Sequence, residues 1–159
     1  MTFEASGRAS TELNVRGATA GAKVSIEYGQ THAKGREVFG ALVPFDTVWR
    51  AGANRATHLT TDIPLTIGGT RVAPGTYSLA LRPSRTGAQL IINSRTRQWG
   101  VPYSAEGELA RIPMQARTLR EPVETFTIAL VPGTGTPVNS GTLTMTWGTM
   151  HYSVAFTAP

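Results

Sequence analysis

The sequence predicts an all-β protein, an antiparallel β-sandwich (jelly-roll-like or barrel-like) of about nine or ten strands. Apolar and polar residues alternate in several short segments, as in strands with one buried face. Glycine and proline residues separate these segments at the spacing of turns. The only candidate for helix is a single turn over residues 36–40, so we expect less than roughly a tenth of the chain to be helical.

Four strands follow from alternation alone. In each of them the residues at every second position are apolar, while threonine, serine or glutamate stands between them. Such a strand buries its apolar face and leaves the other face to water. The residues expected to face the core are Val24, Ile26 and Tyr28, then Phe126, Ile128 and Leu130, then Leu143, Met145 and Trp147, and finally Tyr152, Val154 and Phe156.

Turn signals connect the remaining strands. Gly68-Gly69 separates two triplets, which predicts a two-residue hairpin. Gly148-Thr149 is predicted to reverse the chain between the last two strands, and residues 132–137 are predicted to form a longer loop. Further strands are expected near residues 65–67, 70–72, 76–81, 90–93 and 108–116.

Length and composition limit the organisation of the chain. A chain of 159 residues fits one domain, which we place at residues 11–159 after a flexible segment over residues 1–10. The chain has no cysteine, which excludes disulfides and thiolate metal sites. The start lacks the basic and apolar regions of a signal peptide.

The charge of the chain does not indicate a specific nucleic-acid partner. The net charge is +5, but the arginines are scattered along the whole sequence and form no basic run. No apolar stretch approaches the roughly 20 residues of a membrane-spanning helix. The sequence does not define an oligomeric state.

The stretch from Leu42 to Ala56 lacks clean alternation. We interpret it as a long ordered connection that buries Trp49. Long connections on a rigid β scaffold often carry function. Candidate site residues are therefore expected in and around this stretch.

Four motifs in this chain together resemble the signature of domain-of-unknown-function family 2911. They are KGREVFGALVPFDTVWRAGAN at residues 34–54, PGTYSL at 74–79, QWG at 98–100 and PVETFT at 122–127. The resemblance covers nearly the whole chain. It implies a β-sandwich and an exported bacterial protein, extracytoplasmic in the periplasm or secreted, and it implies no reaction.

The chain departs from the family pattern at two positions. Arg55 stands where relatives carry a glutamate, so a catalytic role of that acid would be absent here. His32 lies near the position where relatives commonly carry a serine.

A candidate binding site lies within the signature run. We predict that Lys34, Arg36, Arg50 and Asn54 converge on one pocket, since arginine offers a planar two-pronged donor to oxyanions. The other expected lining residues are Tyr28, Trp49, Asn93, Gln98 and Trp99.

The same residues also allow a structural interpretation. Arg50 would then bond to loop carbonyls, Trp49 would fill the core, and Asn54 would complete a turn. Glu37 or Asp46 would neutralise the cations.

Catalytic chemistry has weaker support. His32 and His58 flank the signature run and are candidate general bases, with Glu37 and Asp46 as the nearby acids. His32, His58 and His151 have no metal-ligand spacing, so no metal site is expected. There is no nucleophile elbow and no phosphate-binding glycine loop, and we expect no cofactor.

Three functions remain open after this reading. The favoured one is a binding module with a polar, cationic pocket for an anionic or polyhydroxylated small ligand. The first alternative is a small hydrolase or lyase that uses His32 or His58 beside Lys34, Arg36 and Arg50. The second is a purely structural interaction domain of the cell envelope. A deep pocket with convergent polar groups would distinguish the first two from the third.

Overall fold

The computed structural model describes residues 7–15, 22–96, 103–135 and 138–159. These ranges hold nine strands and no helix. The strands are β1 (Arg8–Asn14), β2 (Lys23–Gly29), β3 (Thr57–Thr61), β4 (Leu65–Ile67), β5 (Thr70–Val72), β6 (Gly75–Pro83), β7 (Ala88–Asn93), β8 (Glu108–Pro132) and β9 (Ser140–Thr157).

All nine strands belong to one antiparallel sheet in the order β1-β2-β3-β6-β7-β8-β9-β4-β5, which is not closed. The long strand β8 joins a first half of the sheet, β1-β2-β3-β6-β7, to a second half, β9-β4-β5. Its residues from Glu108 to Met114 pair with β7, and its residues from Gln115 to Pro132 pair with β9. The prediction of an all-β fold with about nine or ten strands is confirmed, but its two layers are halves of a single hydrogen-bonded sheet.

The core lies between these two halves. In the described ranges the apolar faces of β2, β6 and β7 share one buried cluster with those of β8 and β9. The Tyr28 ring on β2, for example, meets the Phe126 ring on β8 edge-on, with centroids 5.7 Å apart. All twelve residues predicted to face the core are buried, because period-two alternation places them on one side of each strand.

The predicted reversal at Gly148-Thr149 is wrong. Strand β9 continues through this point, and Gly148 lies inside it with a φ of 59°. The partner strand β8 is also continuous, with register shifts between Thr118 and Val123 and between Val123 and Thr127. A left-handed glycine and extra residues on one strand make a β-bulge, which bends a strand without ending it.

The predicted helical turn over residues 36–40 is also wrong. The Val38 carbonyl accepts hydrogen bonds from the amides of Ala41 (3.2 Å) and Val43 (2.9 Å), and Gly40 donates back to Val43 (2.9 Å). None of residues 36–40 is helical, and Gly40 has a φ of +95°. The segment is a tight turn packed against the middle of β9, where Val38 approaches Gly148.

Two strands of the first half were not identified from the sequence. Strand β1 is an edge strand that buries little, with Ala9 and Leu13 only partly covered. Its Thr11 hydroxyl accepts the amide of Leu130 on β8 at 3.2 Å, so β1 approaches β8 through a side chain. Strand β3 follows directly after the irregular connection. Within the described ranges no helix has the length and apolar character needed to cross a membrane.

Candidate functional site

The connection that precedes β3 is fixed against the end of β2. The amide of Ala53 donates to the carbonyl of Gly29 at 3.0 Å, and the Thr57 hydroxyl donates to the carbonyl of Ala51 at 2.7 Å. A Cβ atom on Gly29 would lie 1.9 Å from the Ala53 oxygen. Only glycine therefore allows this contact, and the loop is seated directly on the sheet.

Arg50 ties this loop together through its own side chain. Its Nε donates to the carbonyl of Gly52 at 3.1 Å, and its Nη1 lies 3.4 Å from the carbonyl of Asn54. The loop backbone is left-handed at both Ala51 (φ 55°) and Asn54 (φ 63°). The structural interpretation of Arg50 and Asn54 is thus supported, and the two residues do lie together.

Arg50 also lines a small cavity on the outer face of the sheet. Ser78 and Ala80 form part of its floor, because they alternate along β6 with Leu79 and Leu81, which face the core. The cavity has a volume of about 30 Å³, which is room for roughly two water molecules. Its lining residues are Arg50, Ser78, Ala80, Asn93, Arg95, Tyr103 and Ser104.

Asn93 organises the far side of this cavity. It is 4% exposed and pairs with Ser78 across the β6–β7 hairpin. Its amide nitrogen donates to the carbonyls of Ser104 (3.4 Å) and Glu106 (3.1 Å), and its oxygen accepts the Arg95 amide at 2.8 Å. The Asn93 side chain therefore positions the described parts of the β7–β8 connection over the sheet.

Tyr103 and Glu108 form a hydrogen-bonded pair beside the cavity. Burial, reinforced by the hydrogen bond to Glu108 (2.5 Å), raises the pKa of Tyr103 to about 12. The hydrogen bond from Arg111 lowers the pKa of Glu108. At neutral pH the Tyr103 phenol is therefore protonated, and the charge of Glu108 is balanced by Arg111.

Trp49 and Tyr28, which were expected to wall the pocket, belong to an aromatic cluster in the core. Trp49 is half-buried and stacks on Trp147, while Tyr28 is buried against Phe126. Neither is among the lining residues of the cavity. The clustering follows from an isolated bridge that pairs Trp49 with Leu81 and turns its ring inward.

Lys34 and Arg36 lie on a different exposed turn. The amide of Lys34 donates to a carboxylate oxygen of Glu124 at 3.0 Å. The Arg36 guanidinium folds back onto the carbonyls of His32 and Ala33, each at 2.8 Å. Of the four residues predicted to converge, Arg50 lines the cavity and contacts the Asn54 carbonyl, whereas Asn54, Lys34 and Arg36 are not among the lining residues.

The candidate catalytic residues are spread over several places, and none of them lines the cavity. His32 faces the Thr125 hydroxyl at 3.0 Å, and His58 bonds to the Thr96 carbonyl. Exposed Asp46 lies 3.8 Å from Arg82, and exposed Glu37 accepts a backbone hydrogen bond from Leu42. The two remaining predicted lining residues, Gln98 and Trp99, lie outside the described residues.

Sequence reasoning did not identify Ser78, Ala80, Arg95, Tyr103 and Ser104 as lining residues. A usable signal was present for the first of these. Ser78 lies among apolar neighbours in β6 and stands opposite Asn93 in the β6–β7 hairpin, so two polar residues share the outer face. Tyr103 and Ser104 belong to the connection between β7 and β8. The sequence of this connection has no periodic pattern, and so it did not indicate which residues would face the cavity.

Within the described ranges, no three histidine or acidic side chains are close enough to hold a metal ion. No match was found among curated proteins or among solved structures. A family model described as a protein of unknown function, DUF2911, matches residues 10–156. The match covers nearly the whole chain and agrees with the four motifs found in the sequence, and so this chain belongs to the DUF2911 family.

Proposed function

We propose that this protein is a binding module that holds a small anionic ligand in the cavity beside Arg50. The observation that carries the proposal is that Arg50 lines the cavity without an acidic partner in the described ranges. The residue Arg50 is half-buried and lines the cavity, and no acidic residue in the described ranges forms an ion pair with it. A partly desolvated cation without a counter-charge is stabilised by an anion that enters the site.

The surroundings of the cavity support an anion over a cation. Arg95 lines the cavity as well, and its only ion pair in the described ranges is a 3.7 Å contact with exposed Glu106. Glu108, the other nearby acid, is held by Arg111 at 2.5 Å. The cavity therefore has a positive balance, which raises the local concentration of anions.

A binding assay with a matched pair of variants tests the proposal. We expect small anions to raise the melting temperature of the protein, because a ligand that binds only the folded state stabilises it. Arg95→Gln should weaken this effect. Arg85→Gln, which removes the same charge at the opposite end of the β6–β7 hairpin, should not. Equal stabilisation of both variants and the parent by every anion would mean that the effect is not local to the cavity.

A purely structural function is the second candidate, and a specific observation favours it. The guanidinium of Arg50 already bonds to two carbonyls of its own loop, at Gly52 and Asn54. If this is its whole role, no small anion binds the folded protein, and Arg50→Lys lowers stability only. The melting-temperature assay separates the two functions directly.

The extracytoplasmic location is a further proposal that rests on the family resemblance alone. Fractionation of the bacterium that encodes the protein, followed by immunodetection, tests it. Recovery of the protein only with cytoplasmic markers would contradict it.

A further inference from the structure

We infer that the cavity beside Arg50 recognises its ligand through a single carboxylate group. This inference rests on the proposed function and narrows its ligand class, which otherwise includes phosphates and polyhydroxylated molecules. Three properties of the site lead to it. They are the N–H donors of Arg50 that the loop does not use, the size of the cavity, and the hydrogen bonds that other lining residues already make.

The first property is the geometry of Arg50. A guanidinium has five N–H donors, and the loop carbonyls of Gly52 and Asn54 use one on Nε and one on Nη1. Both donors of Nη2 and one of Nη1 remain. Nη1 and Nη2 share the outer edge of the planar guanidinium, and such an edge matches the two oxygens of a carboxylate in a bidentate pair. The loop bonds also fix the plane of the guanidinium before any ligand arrives, which reduces the entropy lost on binding.

The second property is size. A volume of about 30 Å³ accommodates roughly two water molecules, which corresponds to the two oxygens of one carboxylate. A tetrahedral phosphate or sulfate would place only part of its four oxygens in this space. The rest of a carboxylate ligand would extend out of the cavity.

The third property, the hydrogen bonding of the lining residues, favours an anion over a sugar as the anchoring group. Asn93 already uses its amide nitrogen for two carbonyls and its oxygen for the Arg95 amide. The Tyr103 hydroxyl donates to Glu108. The two charged groups that line the cavity, at Arg50 and Arg95, are donors only, which suits an anion better than the mixed donors and acceptors of a sugar.

The charge of the site agrees with a monoanion. Arg50 has no acidic partner in the described ranges, while Arg95 is partly balanced by Glu106 at 3.7 Å. One bound carboxylate therefore brings the site close to neutrality. A dianionic phosphate would leave an excess negative charge next to Glu106.

The test is a nuclear magnetic resonance titration of the full chain, labelled with ¹⁵N, with acetate, inorganic phosphate and glucose as separate probes. Sodium chloride at the same ionic strength is the control for salt effects. We expect acetate to shift the Arg50 guanidinium signals and the Asn93 and Arg95 amide signals in a saturable way. We expect at least a tenfold weaker response to phosphate and none to glucose. If phosphate or glucose saturates these signals and acetate does not, the carboxylate inference is overturned while the proposed function stands.

Failure of the proposed function gives a different result. In that case none of the three probes shifts the signals of Arg50, Asn93 and Arg95 beyond the chloride control. The two failures are therefore distinguishable within one set of spectra.

Two variants localise the anchor. Arg50→Lys keeps the charge but removes the planar pair of donors, and we expect it to lower acetate affinity at least tenfold. Since this change also removes the loop bonds, Arg95→Glu provides a second measurement that leaves the loop intact. It places a carboxylate at the edge of the cavity, and we expect at least a tenfold loss of acetate affinity. Acetate binding to Arg95→Glu with the affinity of the parent would overturn the inference.

Discussion

The indole rings of Trp49 and Trp147 stack on each other with centroids 5.6 Å apart and an interplanar angle of 19°. Trp49 comes from the irregular connection before β3, and Trp147 comes from the middle of β9. Phe126 meets both rings, at 4.8 Å from Trp49 and 6.1 Å from Trp147. The connection that carries the family motif is therefore attached to the second half of the sheet by an aromatic cluster.

Replacing Trp49 with alanine should destabilise the protein by about 3 kcal/mol. The change leaves a cavity beside Trp147 and removes the aromatic contacts on both faces. Urea denaturation measures the loss. Leu42→Ala is the control, because Leu42 is in the same connection but 39% exposed, and its truncation should change stability by no more than about 0.5 kcal/mol. A loss below about 1 kcal/mol for Trp49→Ala would show that its ring does not hold the cluster.

Phe126 should be the more costly truncation. It is fully buried and contacts Tyr28, Trp49 and Trp147, so Phe126→Ala should cost about 3–5 kcal/mol. Val131→Ala on the same strand, where the side chain is 46% exposed, should stay within about 0.5 kcal/mol. Similar losses for the two variants in urea denaturation would contradict the assignment of the buried face of β8.

Much of the fold was predictable because its core strands alternate regularly. The alternation of β2, β8 and β9 identified the buried residues, and the glycine pair Gly68-Gly69 does form the hairpin between β4 and β5. The continuity of β8 and β9 was not predictable in the same way. Glycine inside a strand and glycine at a turn look alike in sequence, and only the pairing of Val123 with Gly148 shows that the chain continues.

The candidate site was predictable only in part. Arg50 and Asn93, which line the cavity, were among the predicted residues, since they are polar residues in or next to irregular backbone, whereas Asn54 contributes only a carbonyl that Arg50 contacts. The separation of Lys34 and Arg36 from the cavity was not predictable, because closeness along the chain does not fix the direction of a turn. Lys34 has a φ of 52°, and its amide bonds to Glu124, which carries that turn to β8.

Gly29→Ala should be strongly destabilising, by about 3 kcal/mol or more. The new Cβ atom would lie 1.9 Å from the Ala53 oxygen and 2.7 Å from its carbonyl carbon, and both are backbone atoms that cannot rotate away. Chemical denaturation gives the magnitude. Gly7→Ala is the matched control, because nothing lies within 4 Å of the added methyl group, and its stability should be close to that of the parent.

The same substitution should also affect the cavity. Moving Ala53 away from Gly29 displaces the loop that Arg50 spans, so any anion binding should weaken together with stability. Unchanged stability of Gly29→Ala would show that the connection is not seated on β2 as described.

Tyr152→Phe should make the protein more stable, by about 1 kcal/mol. Tyr152 is fully buried, and its hydroxyl has no hydrogen-bond partner among the described residues. An unsatisfied buried hydroxyl costs about 1–3 kcal/mol, and its removal recovers part of that cost. Tyr103→Phe is the contrasting variant, because it removes the hydrogen bond to Glu108 and should lower stability by about 1 kcal/mol.

The alkaline pH dependence of stability gives a second measurement on Tyr152. Burial raises the pKa of Tyr152 to about 12 in the folded protein, while an unfolded tyrosine has a pKa of about 10. As the pH rises above 10, the unfolded chain loses its phenol proton first, which favours unfolding. The stability contributed by the protonated phenol is therefore complete below pH 10 and is lost as the pH approaches 12.

Tyr103 contributes in the same direction, so Tyr152→Phe should make the decline of stability with pH less steep without abolishing it. Urea midpoints measured between pH 9 and 11.5 test this expectation, and an unchanged slope in Tyr152→Phe would show that its phenol is accessible to hydroxide in the folded state.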